Sequence, residues 1–470
     1  MSIDPDLKAS IAVTRFGLGA RPGQIAAARP DPVAYLKAQI QPSGADQPVG
    51  NFETSAESLG DLRQLQMNRR EAKMSADPDA ADPVKAAQKL IRQGAGGEFI
   101  ARAALASQTD AGFRERWALF WANHFTVGQK NLQTVVLVGP FEREAIRPHV
   151  FGRFEDLLAA SSSHPGMLIY LDQAQSIGPD SQFASLARTG LIPALKDLGG
   201  LNENLAREIM ELHTLGVGSG YTQADVTEFA RALTGWSIVG FKEHRFGQVG
   251  EPGQFTFRPG AHEPGVRHIL GKAYPQGGID QGHAVLADLA ANPATAHHIA
   301  TKIATHFVAD DPPPALVARL EHSFNSTGGQ LDKLAETLID SPEAWDPRQR
   351  KFKTPYEFLV SGYRAAGLSP GVEIAPVLTG LGQKPFSAPS PKGWAEDAQA
   401  WASPDGIVKR MDWSEGFSAK VVPADAQPMQ IAQNTLGAQL TPATATAISH
   451  AESRTEAFSI LLMSPEFQRR

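Results

Sequence analysis

The chain has 470 residues, which is enough to bury a substantial core, and its 42% hydrophobic and 20% charged residues are ordinary for a globular protein. Its net charge of −6 gives no sign of the basic surface that nucleic-acid binding requires. The absence of cysteine excludes disulfides, thiolate nucleophiles, Cys-ligated zinc and iron–sulfur clusters.

The N-terminal sequence lacks the cationic start and the continuous apolar stretch of a secretory signal. No apolar run approaches the roughly 18 residues that a membrane-spanning helix needs. We therefore expect a protein without a membrane span that resides in the cytoplasm, or in the periplasm or outside the cell if a leader has been removed.

Apolar residues recur at helical spacing along most of the Ala-rich chain, which predicts a mainly α fold. We expect residues 1–470 to form a single large multi-helical globular domain. Pro, Gly and Asp are frequent in residues 41–84, which we interpret as a mobile surface excursion. Its predicted parts are a basic helix around Leu62–Lys73 and a turn at Asp77-Pro78-Asp79. Helices are predicted on either side at Ala34–Ile40, Ala86–Arg92 and Glu98–Gln108.

An aromatic helix is predicted over Phe113–Phe125. The residues near one face of this helix are Phe113, Trp117, Phe120, Trp121 and His124. Such a stripe is typical of a core, in which His124 would be a buried, hydrogen-bonded histidine. The alternative is that Asn123 and His124 end a rigid helix and point into a cleft.

A polar stripe follows in residues 201–220. Asn204, Arg207, Glu208 and Glu211 are spaced i, i+3, i+4 and i+7, so they share one helix face. Two carboxylates one turn apart, beside a guanidinium, suit an acid and a base or a divalent metal. The alternative is a solvated face with an Arg207–Glu211 pair worth under about 0.5 kcal/mol.

Two local patterns come next along the chain. Thr222 followed by Asp225 resembles a capping box, so Asp225 is expected to start a helix. Gly and Pro then punctuate β-prone runs, which predicts a small antiparallel β insertion over residues 236–271. Its predicted strands are Trp236–Phe241, Gln254–Phe257 and Val266–Leu270. His262 lies on a loop inside this insertion, where a functional role and simple exposure both remain open.

Several catalytic signatures are absent from the sequence. It contains no GxSxG elbow, no HExxH, no Walker loop and no GxGxxG followed by a helix. This argues against nucleotide enzymes and zincins, and no recognised motif requires a cofactor.

Several short strings of the sequence are distinctive in combination. They are Arg15-Phe16-Gly17-Leu18-Gly19, Phe120-Trp121-Ala122-Asn123-His124-Phe125, Arg207-Glu208-x-x-Glu211-Leu212, Tyr221-Thr222-x-x-Asp225-Val226, Leu233-Thr234-Gly235-Trp236, Phe255-x-Phe257-x-Pro259-x-x-His262, Lys353-x-Pro355-x-Glu357-Phe358 and Gly393-Trp394. These strings resemble the signatures of the DUF1800 family, a group of bacterial proteins of unknown function. The match runs from about residue 14 to the end of the chain. One departure lies in the β insertion, where Glu263 and Arg267 replace the Asp and Lys that are common in the family.

The resemblance implies that polar residues of separate motifs meet in one site, although the family supplies no reaction to carry over. The leading hypothesis is a hydrolase of a glycan or another polar polymer. Its expected catalytic residues are Glu208, Glu211, His124 and Arg207. Its expected substrate-binding residues are Asn123, Trp121, Asn204, Trp236 and His262. The alternatives are a binding or assembly protein whose polar cluster is a structural ion-pair network, and a metalloprotein with His and Glu ligands.

Overall fold

The fold is mainly α, as the sequence predicts. The computed structural model describes residues 3–74, 82–190, 199–240, 250–348, 350–422 and 425–470. Within these residues the strands are only four, each three residues long. In the same part of the chain, no helix has the length and apolarity that crossing a membrane requires.

Twelve α-helices lie before the first strand in the described chain. They are α1 Pro5–Ile11, α2 Gln24–Ala28, α3 Pro32–Lys37, α4 Ser55–Met74, α5 Asp82–Gln108, α6 Gly112–His124, α7 Leu132–Phe141, α8 Phe154–Ser163, α9 Pro165–Tyr170, α10 Gln182–Thr189, α11 Asn204–Glu208 and α12 Gln223–Ala232. Three π-helical segments extend helices α1, α7 and α11: Ala12–Phe16, Glu142–Ile146 and Ile209–His213.

The second part of the chain begins with the strands and continues in short helices. Its elements are β1 Trp236–Ile238, β2 Phe255–Phe257, β3 Arg267–Ile269, β4 Lys272–Tyr274, α13 Ile279–Ala290, α14 Pro293–Phe307, α15 Pro314–Thr327, α16 Leu331–Asp340, α17 Pro355–Ala366, α18 Ile374–Gly380, α19 Ala398–Trp401, α20 Pro404–Val421, α21 Pro428–Leu436, α22 Pro442–Ser449, α23 Arg454–Met463 and α24 Pro465–Gln468. Many of them start with a polar cap followed by Pro, because Pro tolerates the first helical turn.

The predicted β insertion is confirmed as two antiparallel pairs. β1 pairs with β2, placing Trp236 opposite Phe257, and β3 pairs with β4 up to Tyr274. Phe241, at the end of the first predicted strand, lies outside the described residues. The capping box is confirmed as well, because Thr222 Oγ1 accepts from the Asp225 amide and Asp225 Oδ2 accepts from the Thr222 amide.

The helices around the predicted excursion follow the sequence only in part. The basic helix is confirmed as part of α4, whereas the turn at residues 77–79 lies outside the described residues. The two predicted helices Ala86–Arg92 and Glu98–Gln108 are wrong as separate elements, because α5 runs through Gly94, Gly96 and Gly97 without a break. Each glycine costs about 1 kcal/mol in a helix interior. Burial of apolar side chains on the second half of α5 offsets this cost.

Helix α6 lies between two clusters of buried apolar residues. Its residues Trp117, Phe120 and Trp121 belong to the larger cluster, which also includes residues of α7 to α9 and of α11 to α16. On another side of α6, Leu119 packs against a second cluster that α17, α20 and α23 build with the end of α5. The C-terminal end of α6 is therefore held from both sides.

Buried ion pairs tie α6 to distant parts of the chain. Arg116 donates to Glu357 at the start of α17 over 2.5 Å, and Arg470 reaches the same carboxylate at 3.0 Å. These two guanidinium groups hold the pKa of Glu357 well below its usual range in spite of its burial. The residue before Arg116, Glu115, pairs with Arg147 at 2.8 Å. Each of these buried charges is thus compensated.

We expect Glu357→Gln to lower the free energy of unfolding by about 3–5 kcal/mol, because it leaves Arg116 and Arg470 buried without an anion. Urea denaturation followed by circular dichroism measures this change. Glu415→Gln, at an exposed position of α20, is the matched control and should stay within about 0.5 kcal/mol. Equal stability of the two variants would contradict the structural role of the ion pairs.

Candidate functional site

The C-terminal end of α6 is clamped to the Gly393-Trp394 motif. Asn123 Oδ1 accepts from the Trp394 amide at 2.7 Å, and Asn123 Nδ2 donates to the Trp394 carbonyl at 3.1 Å. Gly393 has φ +86°, and a Cβ there would lie 2.4 Å from the Asn123 carbonyl oxygen. Only glycine fits this approach. Two motifs that are about 270 residues apart therefore meet through a bidentate amide contact.

A cavity of about 130 Å³, here called the α6 cavity, lies beside this clamp. Its polar wall contains two ion pairs, Arg116–Glu357 and Arg102–Glu142, and the hydrogen-bonded pair His306–Glu396. Its apolar wall contains Phe99, Leu119, Val138, Leu378 and Phe386. Asn123, Tyr356 and Trp394 also line the cavity. Motifs from three regions of the sequence thus converge on one cavity.

His306 and Glu396 form an oriented pair on the polar wall. Both carboxylate oxygens of Glu396 lie 2.9 Å from His306 Nδ1. Burial lowers the pKa of His306, although Glu396 opposes the shift, and His306 lowers the pKa of Glu396 to about 2 in spite of its burial. At neutral pH, His306 is therefore a neutral imidazole whose Nδ1–H donates to an ionised carboxylate.

His124 faces away from this cavity, into a group of buried histidines. Its Nε2 lies 3.1 Å from the His213 carbonyl oxygen, and its ring centroid is 6.0 Å from that of His213 and 6.3 Å from that of His298. Lys302, one turn after His298 on α14, adds a cation to the group. Burial first, and then Lys302, lowers the pKa of His124 well below its usual range. The same causes lower the pKa of His213 to about 3.

The carboxylate stripe lies on the outer side of the same region, half-buried. Arg207 pairs with Glu203 at 2.9 Å and not with Glu211, which sits in the π-helical segment that follows α11. Burial raises the pKa of Glu208, and Glu211 raises it further, whereas Arg207 and Lys130 oppose the shift. The environment of the stripe therefore favours the protonated form of Glu208. No hydrogen bond or ion pair of the described residues joins either carboxylate to His124.

The other expected substrate-binding residues are distributed between core and surface. Trp121 and Trp236 are fully buried among aromatic rings, and Asn204 is exposed at the start of α11. His262 is half-buried, and its Nδ1 lies 3.0 Å from the Thr234 carbonyl oxygen. Among the described residues, no group of three or more His, Asp or Glu side chains is placed to hold a metal ion.

The sequence analysis missed most of the polar wall of the α6 cavity. Glu357 belongs to the Lys353-x-Pro355-x-Glu357-Phe358 motif, but it is not among the predicted site residues. His298, Lys302 and His306 recur at i, i+4 and i+8 on α14, and this spacing was the available signal for them. Glu396 has no local signal, because only the fold brings it to His306.

The chain is thus a mainly α protein in which motifs from distant parts of the sequence meet at the end of α6. The chain belongs to the DUF1800 family: the family's sequence profile, described as a protein of unknown function, matches residues 11–469. This match confirms the resemblance seen in the motifs. No curated protein and no solved structure matches the chain.

The histidine group predicts acid-sensitive stability. His213 is neutral when folded, with a pKa of about 3, but binds a proton below about pH 6.5 when unfolded. The part of the free energy of unfolding that depends on neutral His213 is therefore fully present above about pH 6.5 and is lost as the pH falls toward 3. His298, with a pKa of about 4, and His124 act in the same direction, and Lys302 faces all three.

We expect the free energy of unfolding to fall between pH 6.5 and 4.5, and to fall less steeply in His213→Gln. Urea denaturation at several pH values gives both slopes. His450→Gln, at an exposed histidine, should keep the wild-type slope. An unchanged slope in His213→Gln would show that this histidine titrates alike in the folded and unfolded chains.

Proposed function

We propose that this protein is a hydrolase, with Glu208 as general acid and Glu211 as general base. The observation that carries the proposal is the raised pKa of Glu208: burial and Glu211 raise it, so the protonated form of Glu208 persists to higher pH. A carboxyl group that keeps its proton next to a second carboxyl group is a recurring basis for acid–base catalysis. In this reaction Glu208 protonates the leaving oxygen, while Glu211 takes a proton from the attacking water.

The surroundings of the pair suit a glycan or another hydroxyl-rich polymer. The Arg207 side chain is 38% exposed and presents hydrogen-bond donors, and Asn204 is exposed beside it. The half-buried Tyr221 lies close to Glu211, since burial and this carboxylate raise its pKa. Its ring offers the aromatic surface on which a sugar can stack. Trp121 and Trp236 are buried, so in this proposal they stabilise the fold and do not contact the substrate.

One observation favours the alternative of a binding or assembly protein with a structural ion-pair network. This observation is the buried ion pairs of Glu357 and Arg147. These pairs fix helix packing. They do not include Glu208 or Glu211, which are half-buried and partly open to water. A structural network therefore accounts for the polar wall of the α6 cavity and leaves the carboxylate pair available for chemistry.

The proposal is tested by incubating the protein with soluble xylan, β-glucan, chitosan and peptidoglycan fragments and measuring the rate at which reducing ends are released. Glu208→Gln and Glu211→Gln should each lower the rate by about 10²–10⁴-fold, the usual contribution of acid–base groups. Wild-type activity should decline as the pH rises through the raised pKa of Glu208. Glu415→Gln is the matched control and should keep full activity.

Thermal melting separates a catalytic loss from an unfolding loss. Glu208→Gln should melt at or above the wild-type temperature at pH 8, because Gln removes a carboxylate whose ionisation burial opposes, and the difference should vanish at pH 4. Activity that persists in both Gln variants, or a large fall in their melting temperatures, would count against this assignment.

A further inference from the structure

Arg102 lines the α6 cavity with most of its hydrogen-bond donors unused. Its Nε lies 2.9 Å from Glu142 Oε2 and 3.1 Å from Glu142 Oε1. Its terminal nitrogens, Nη1 and Nη2, form no hydrogen bond with the described part of the chain. They are also open to solvent, because the side chain is 15% exposed and neither nitrogen is among the fully buried polar atoms without a partner. A molecule that enters the cavity from solvent can therefore reach them.

The terminal edge of a guanidinium group is a complete recognition element by itself. Nη1 and Nη2 are held on one planar group, so their N–H bonds point to one place without help from a second side chain. A carboxylate accepts from both in a bidentate arrangement, and such charge-assisted hydrogen bonds are about twice as strong as neutral ones. A neutral amide or alcohol presents no matching pair of anionic oxygens. The unused edge of Arg102 therefore favours a carboxylate.

Three aromatic rings hold this guanidinium in place. Its Cζ lies 5.0 Å from the ring centroid of Tyr356, 5.5 Å from that of Phe386 and 5.9 Å from that of Phe99. Cation–π attraction acts over these distances. Phe386 has φ +51°, a left-handed conformation that is costly for a bulky residue, and strain of this kind clusters where proteins hold ligands. The rings also shield the guanidinium from water, which strengthens its attraction for an anion.

The charges around the cavity leave one cation in excess. Each carboxylate on the wall is already bonded, and Glu142 is shared between Arg102 and Arg147. Lys384 borders the cavity, is exposed, and has no ion pair with the described residues. The charged side chains that line the cavity, together with their ion-pair partners, are the cations Arg102, Arg116, Arg147, Arg470 and Lys384 and the anions Glu115, Glu142, Glu357 and Glu396. A ligand with one negative charge balances this set.

Size and wall composition restrict the body of the ligand. A volume of about 130 Å³ is close to that of an engineered apolar cavity of about 150 Å³ that takes up benzene. Leu119, Val138 and Leu378 give this space an aliphatic wall. A short hydrocarbon body of about six non-hydrogen atoms fits such a space, since drug-sized ligands need about 300 Å³ or more.

We infer that the α6 cavity is a binding site for a small monocarboxylate with a short apolar body. The Nη1–Nη2 edge of Arg102 binds the carboxylate, Lys384 attracts it at the mouth of the cavity, and the aliphatic wall encloses the hydrocarbon. The inference does not depend on the proposed hydrolase activity, because it uses neither Glu208 nor Glu211.

Isothermal titration with butyrate, butyramide and inorganic phosphate tests the site at pH 7. Butyrate should bind about 10-fold or more tightly than butyramide, which has the same shape but no charge to pair with the guanidinium. Phosphate should bind more weakly than butyrate, because it has no apolar body to bury. Crystals soaked in 4-bromobutyrate should show the anomalous signal of bromine inside the α6 cavity, on the side of Leu119 and Val138.

Two substitutions test the cationic groups separately. Arg102→Lys keeps the charge beside Glu142 but removes the two-pronged edge, so butyrate should bind about 10-fold more weakly and butyramide as before. Arg319→Lys, at an arginine that pairs with Glu343 on the surface, is the matched control and should bind butyrate like the wild type. Lys384→Met, at an exposed position that should not affect folding, should weaken butyrate binding by about 2- to 5-fold.

Thermal melting of each variant shows whether a loss of binding is a loss of folding. If Arg102→Lys unfolds, the comparison of butyrate with butyramide on the wild type and the Lys384→Met titration still decide the question. Equal affinity for butyrate and butyramide, tighter binding of phosphate than of butyrate, or wild-type butyrate affinity in a folded Arg102→Lys variant or in Lys384→Met would each overturn the inference.

Discussion

The ion pair between Arg116 and Glu357 is the contact on which the arrangement of the motifs depends. It joins α6, whose aromatic face lies in the larger core, to α17 in the second core. Arg470 binds the same carboxylate, and its guanidinium also donates to the His306 carbonyl. A single buried carboxylate therefore fixes the relative position of α6, α14 and α17. Such pairs add little net stability over an apolar core but make misalignment costly, because any displacement strands a charge.

The end of α6 shows how neighbouring residues acquire separate roles. Successive side chains on a helix point about 100° apart. Asn123 consequently turns to Trp394 and the α6 cavity, whereas His124 turns to His213 and the histidine group. The polar motif residues thus divide into a cavity wall, a buried imidazole group and a half-buried carboxylate pair. The end of α6 contributes to the first two of these.

The features that the sequence predicts correctly are those that depend on residues close together in the chain. The capping box at Thr222 and the short antiparallel strands follow from residue types at fixed spacing. It could not predict the partner of Arg207, because the π-helical turn after Glu208 widens the helix and breaks the assumed i, i+4 geometry. It also could not place His306 beside Glu396, since 90 residues separate them and only the packing of α14 against the Trp394 loop brings them together.

The two sets of acid–base groups differ in what burial does to them. In the α6 cavity Arg116 lies against Glu357 and Arg102 against Glu142, so these four groups stay ionised in spite of their burial. On the outer stripe burial and the carboxylate of Glu211 raise the pKa of Glu208 by more than Arg207 and Lys130 lower it, so even half-burial favours its protonated form. The same cost of desolvation therefore leaves paired charges ionised in one place and favours a protonated carboxyl group in the other. The number of counter-charges within reach, and not the depth of burial alone, decides which of these groups keep their charge.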